Sequence, residues 1–218
     1  MCQMSDRRRL VLWRHGRTAW NLEHRFQGQT DVPLDDVGLR QAESAAGLLM
    51  ALRPQLIVSS DLSRARDTAQ TLADRTGLTV GTDVRLRETD GGSWEGRRRE
   101  ELLIEDPDAY RAWLAGEPVR PGGDGEGRRQ VGERVIAAIE DVMRDIDPGR
   151  TAVVVTHGGA ARAVLAPLLN RPFDQIRFFA VMRNAAWSVF LETADENHPW
   201  QVLEYNARSL PEPPAADD

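Results

Sequence analysis

Short apolar runs alternate with longer stripes of helical period along most of this 218-residue chain, and that alternation limits the fold more than any other feature. Leu10 to Trp13 is an apolar run bounded by Arg-rich and Gly-containing segments, as a buried parallel strand requires. Leu39, Ala42, Ala46, Leu49 and Leu52 then keep a helical stripe that Pro54 closes. Leu56-Ile57-Val58 predicts a second strand, and Asp61 is placed to cap a helix carrying Leu62, Ala65, Ala69 and Leu72 as far as Gly77. A weaker strand is expected over 79–84, short helices over 97–104 and 108–114, and a Pro/Gly-rich loop over 118–127. Val131, Val135, Ile139, Val142 and Ile146 mark a long helix, and 151–156 is the clearest buried strand. A helix through residue 169 should follow Gly158-Gly159, with two late strands over 186–192 and 200–205.

This order predicts an α/β fold, a three-layer α/β/α sandwich around a mostly parallel sheet. No repeat or linker interrupts it, so one domain is expected over 1–209, with a Pro- and Asp-containing tail at 210–218 expected to be disordered.

Composition removes several chemistries. All 28 cationic side chains are Arg, so a Schiff-base lysine, a pyridoxal-phosphate lysine and a P-loop lysine are excluded. Cys2 stands alone beside Met1, which rules out a disulfide framework or a Cys-based zinc site. The net charge of −6 argues against nucleic acid as a partner. The apolar run at Leu10 is too short for a signal peptide or a membrane span, so a cytoplasmic protein with no membrane partner is expected.

In doubly wound sheets ligands sit beyond the carboxyl ends of the strands. Arg14-His15-Gly16 follows the first strand, and Ser59, Ser60 and Asp61, with Arg64 close behind, follow the second. Arg87-Glu88 comes after the third, and His157-Gly158-Gly159 after the fourth. These residue types suit phosphoryl transfer. A neutral imidazole is a competent nucleophile towards phosphorus, and guanidinium groups match phosphoryl oxygens in pairs. The helix N-terminus after Gly158-Gly159 is expected to offer backbone donors to the anion. Glu88 could protonate the departing alkoxide.

Arg14-His15-Gly16-Arg17-Thr18, with Asn21 close behind, resembles the signature of the histidine phosphatase (phosphoglycerate mutase-like) superfamily. The resemblance continues through Gln27-Gly28, Asp31, Pro33-Leu34, Gly38 and Gln41-Ala42, then through Ser59 to Ala65. It resumes at Leu86-Arg87-Glu88, Gly92 to Gly96 and Val155 to Gly159. It implies a phosphoglycerate mutase-like fold and His15 as the nucleophile that becomes a phosphohistidine. It also implies Arg14, Arg64 and His157 around the phosphoryl group, Glu88 as proton donor and then base, and no metal or other cofactor. Asn21, Gln27 and Gly28 would be substrate-side contacts, with Arg17 a further one at the rim, although Arg17 departs from the Gln or Glu usual in the family. Trp94-Glu95-Gly96 followed by Arg97 to Leu102 resembles the phosphatase branch. The expected activity is metal-independent hydrolysis of a small phosphomonoester of sugar-phosphate or phosphoglycerate type. A cofactor-dependent phosphoglycerate mutase is one alternative, and a non-catalytic phosphate-ligand binding protein is another. The small-molecule substrate is the expected partner, and a homodimer is compatible with the sequence.

Plainer roles compete for several residues. Arg64 could pair with Asp67, Glu88 with Arg85 or Arg87, and Asn21 could cap a turn. Arg97-Arg98-Arg99 reads as a solvated helix face or as an electropositive rim. Trp94 and Trp113 suit either core packing or a pocket wall, and His24 and His198 read as solvated.

Overall fold

The computed structural model describes residues 6–208, so Cys2 and the expected tail at 210–218 lie outside the described residues. Six strands form one sheet in the order β3-β2-β4-β1-β5-β6: β1 (Arg9–Arg14), β2 (Pro54–Ser59), β3 (Val80–Thr82), β4 (Thr151–Thr156), β5 (Trp187–Glu192) and β6 (Trp200–Ala207). The first four run parallel, and β5 and β6 complete the sheet antiparallel. The parallel strands need crossover helices. These are α2 (Asp36–Leu49), α3 (Ser63–Thr76) and α6 (Arg128–Arg144), joined by α1 (Ala19–Leu22), α4 (Arg99–Glu105), α5 (Pro107–Ala115) and α7 (Gly158–Leu168).

The period of two in β1 assigns the layers. Leu10 and Leu12 point into a core built with Val135, Ile139, Val142, Val164 and Leu165 of α6 and α7. Val11 and Trp13 point the other way, to Ala42, Ala46, Leu49, Ala69 and Leu72 of α2 and α3. These four side chains in the middle of β1 are fully buried, so β1 and β4 provide a rigid floor for the loops at their carboxyl ends. The expected three layers are therefore present.

Two boundaries differ from the sequence reading for clear reasons. The helix after β2 begins at Ser63 with Leu62 at the N-cap, because Asp61 is drawn into an ion pair with Arg87 at 2.5 Å. Asp31, from a distant loop, accepts from the Ser63 N–H in its place. The strand expected over 79–84 shortens to three residues because Val84–Leu86 winds into a 3₁₀ turn capped by Asp83. No helix among the described residues is long and apolar enough to cross a membrane.

Candidate active site

Strand register brings the two histidines together. Arg14 of β1 pairs with Thr156 of β4, so His15 and His157 leave adjacent strand ends side by side. Their ring centroids lie 5.1 Å apart, and both side chains are buried. A cavity of about 220 Å³ opens there, lined by Arg14, His15, Asn21, Gln27, Gly28, Arg64 and Glu88 among others. It sits where the doubly wound topology predicts it.

Hydrogen bonding assigns the tautomers. His15 Nδ1 lies 2.6 Å from the Gly16 carbonyl oxygen, which can only accept, so Nδ1 carries the proton and Nε2 the lone pair. His157 Nδ1 accepts from Arg64 Nε at 3.2 Å, so its proton resides on Nε2, which donates to Ser60 Oγ at 2.8 Å. Burial holds both imidazoles well below their usual basicity, and the nearby Arg64 and Arg14 guanidinium groups push in the same direction. Both rings are therefore neutral near pH 7.

Two guanidinium groups flank the rings. Arg64, on the first turn of α3, is fully buried; besides His157 at 3.2 Å it donates to the carbonyls of Thr30 and Gly28, both at 2.8 Å. Three of its five N–H groups are thus used, leaving two for a ligand. It does not pair with Asp67, which lies instead by Arg66. Arg14 donates to the Met182 carbonyl at 2.5 Å, while its buried Nε has no partner in the protein. Burial lowers the Arg14 pKa to about 10, which still leaves it charged at neutral pH. An unpaired buried donor on a cation, beside the cavity, suits an anion's oxygen.

Glu88 is placed differently from its plainer alternative, since Arg87 pairs with Asp61 and Arg85 with Asp83 and Asp141. Its Oε1 accepts from the Thr89 and Ala160 N–H groups, and Oε2 accepts from Gly159 N–H, at 2.8–2.9 Å. Here one expectation is corrected. The α7 N-terminal amides of Gly159 and Ala160 are not offered to a ligand, because Glu88 already caps them. The cap is favoured by the positive end of the helix. With both lone-pair directions of Oε1 occupied, Oε2 retains one for a substrate oxygen.

Asn21 combines both roles considered for it. Its Oδ1 accepts from the Thr18 N–H in a capping box and from Asn184 Nδ2, so its own Nδ2 is the donor left for the cavity it lines. Gln27 bonds Thr18 Oγ1 at 3.0 Å and also lines the cavity. Gly28 has φ +53°, and a Cβ there would sit 1.8 Å from Glu95 Oε1, so the loop carrying the Arg64 acceptors needs glycine. Arg17, expected at the rim, is not among the lining residues. Asp35 holds its Nε at 2.8 Å and Gln41 takes its backbone N–H.

The arginines at 97 and 98 pair with Glu105 and Glu23, which favours the solvated-face reading. Trp113 does line the cavity, whereas Trp94 packs in an aromatic cluster and donates to Asp106. Asn184 escaped the sequence reading of the site, although it donates to both the His15 and Gly16 carbonyls. No spacing or periodicity just before β5 marks it for that role. Among the described residues, no group of three or more His, Cys, Asp or Glu side chains is placed to hold a metal ion.

A model of the histidine phosphatase superfamily (branch 1) matches residues 10–208. The chain is 43% identical over 186 residues to a glucosyl-3-phosphoglycerate phosphatase of Mycolicibacterium vanbaalenii, covering 83% of this chain and 82% of that one. A "probable phosphoglycerate mutase" of Yersinia pestis is 36% identical over 163 residues, 75% of each chain. Among solved structures, a mycobacterial glucosyl-3-phosphoglycerate phosphatase in complex with VO3 superposes with a TM-score of 0.85 at 39% identity, over 92% of this chain and 99% of that one.

Proposed function

Because the chain belongs to the histidine phosphatase superfamily (branch 1), we propose that it hydrolyses a small phosphomonoester, without a metal ion, through a phosphohistidine on His15. The observation that carries this reading is the His15 tautomer. With Nδ1–H held by the Gly16 carbonyl, the Nε2 lone pair is the one available to attack phosphorus.

In the first step Nε2 bonds to phosphorus as the ester P–O bond breaks. Arg14 Nε and the two remaining Arg64 N–H groups meet the charge on the phosphoryl oxygens, which is where transition-state stabilisation is largest. The departing oxygen takes its proton from Glu88 Oε2. In the second step water attacks the phosphohistidine, Glu88 takes the water's proton, and His15 is released neutral. His157 stays neutral and orders the Arg64 guanidinium through Nδ1.

The substrate class is a phosphorylated three-carbon acid or sugar, with glucosyl-3-phosphoglycerate the foremost member to test. Support comes from the names of the similar proteins and from the segments 56–69 with 75–78 and 184–188 with 205–207, which resemble the same phosphatases. A panel of sugar phosphates, phosphoglycerates and glucosyl-3-phosphoglycerate, assayed for phosphate release with and without EDTA, tests both parts. Selective turnover of glucosyl-3-phosphoglycerate unaffected by EDTA is expected. Primer-dependent interconversion of phosphoglycerates in place of phosphate release would favour the mutase reading, and EDTA sensitivity would remove the metal-independent one.

A further inference from the structure

The Pro/Gly-rich loop at 118–127 and the polar side of α6 have no part in the chemistry above, yet together they grip the segment that carries Glu88. Arg134 of α6 uses all five of its N–H groups inside the protein. Its Nη1 donates to the carbonyls of Arg85 and Arg87 at 2.6 and 2.7 Å. Its Nη2 donates to the Glu88 carbonyl at 2.8 Å and to Glu126 Oε2 at 2.7 Å, and its Nε donates to Glu126 Oε1 at 2.7 Å. The pair is mostly buried, with side-chain exposures of 19% for Arg134 and 18% for Glu126.

A 3₁₀ turn ending at Leu86 leaves residues 85–88 without a strand partner to fix their carbonyls. One planar fork that spans three of those carbonyls fixes them at once, and the bidentate carboxylate on its other edge fixes the fork. Glu126 is itself anchored, its N–H donating to the Asp90 carbonyl at 2.9 Å. The Glu88 backbone is therefore held from α6 while its carboxylate is held from α7.

We propose that Arg134, oriented by Glu126, is the positioning residue that sets the reach of Glu88 Oε2 towards the leaving oxygen. Arg134 touches no reacting atom. The inference rests on the reading of Glu88 as proton donor, and its test keeps the two separable. A misplacement near 1 Å in such a group can cost about 100-fold in rate.

The experiment compares Arg134→Met, Arg134→Lys, Glu126→Gln and Glu88→Gln, and combines Glu88→Gln with Arg134→Met. Each is assayed for kcat and KM on an alkyl phosphomonoester, whose alkoxide must be protonated to leave, and on p-nitrophenyl phosphate, whose aryl oxide leaves without it. Arg134→Met should lower kcat/KM, which reports the phosphorylation step and not the later attack of water common to both esters, by roughly 10- to 100-fold on the alkyl ester and by less than about threefold on the aryl ester. In the Glu88→Gln background it should add almost nothing, because contacting residues that act as a unit are not additive. Arg134→Lys, with three donors in place of five, and Glu126→Gln should fall between and report the same trend if the Met variant fails to fold. Equal losses on both esters, or full additivity with Glu88→Gln, would overturn the positioning role. If Glu88→Gln itself spares the alkyl ester, it is the proton-donor reading that fails.

Discussion

Replacing Glu88 by Gln exchanges one acceptor oxygen for a donor amide in a carboxylate that receives three main-chain N–H groups. Oε1 accepts two of them, so the amide oxygen is best placed there and the new NH2 faces Gly159 N–H. That bond is lost and a partly buried donor is left unpaired, which costs roughly 1–3 kcal/mol. Removing the charge from the α7 N-terminus costs about 0.5 kcal/mol more. For a chain of this size each kcal/mol shifts Tm by about 2–4 °C, so a fall of about 3–14 °C is expected by calorimetry or thermal CD. The kinetic effect is separate. Loss of a general acid should lower kcat/KM, which does not contain the later attack of water, by about 10²–10⁴-fold on an alkyl phosphomonoester, with a much smaller loss on p-nitrophenyl phosphate. Both halves refer to the same carboxylate. An unchanged Tm would show that Glu88 does not cap α7 in solution, and equal rate losses on the two esters would remove its role as acid.

Three other consequences are open to measurement. Arg14→Lys keeps a charge but loses the fork that both bonds Met182 and presents Nε, so kcat/KM should drop roughly 100- to 1000-fold; steady-state kinetics within a factor of five of the parent would contradict the clamp. Because His15 and His157 are neutral when folded, the unfolded chain binds protons below its ordinary pKa of about 6.5 that the folded chain does not. Stability should therefore be level above about pH 6.5 and fall as the pH drops further, by up to about 1.4 kcal/mol per unit for each histidine; urea midpoints equal at pH 7.5 and 5.5 would refute that. In Gly38→Ala the new Cβ would meet the Arg17 carbonyl oxygen at 2.0 Å, so the loop after His15 must shift. A cost of roughly 1–3 kcal/mol should appear in chemical denaturation together with reduced kcat, and a fully active, equally stable variant would count against the rigidity of this loop.

The parts of the site that lie on regular elements were legible because strand register is. The apolar runs of β1 and β4 fix where each strand ends, and two neighbouring parallel ends put His15 beside His157. Arg64 followed from the same reasoning, one turn into the next helix. Side-chain competition was not legible. Arg17 and Asp35 are 18 positions apart, and nothing in their spacing says that Asp35 wins Arg17 from the rim. Asp61 looked like a cap until Arg87, 26 residues away, claimed it. The α7 amides looked free until the loop from β3 laid Glu88 across them. Arg134 was one polar residue among several on α6, since its meaning depends on three carbonyls in a segment without periodicity. Asn184 was similarly hidden, because its acceptors are main-chain oxygens at the far end of the chain.

The covalent intermediate is the most direct consequence of His15 acting as the nucleophile. Rapid acid- or base-quench of the enzyme with a ³²P-labelled substrate, followed by peptide mapping, should find base-stable, acid-labile phosphate on the peptide that carries His15, formed at a rate no slower than turnover and absent in His15→Ala. Label that persists in His15→Ala, or turnover by the parent enzyme with no phosphoenzyme formed within the first catalytic cycle, would contradict it.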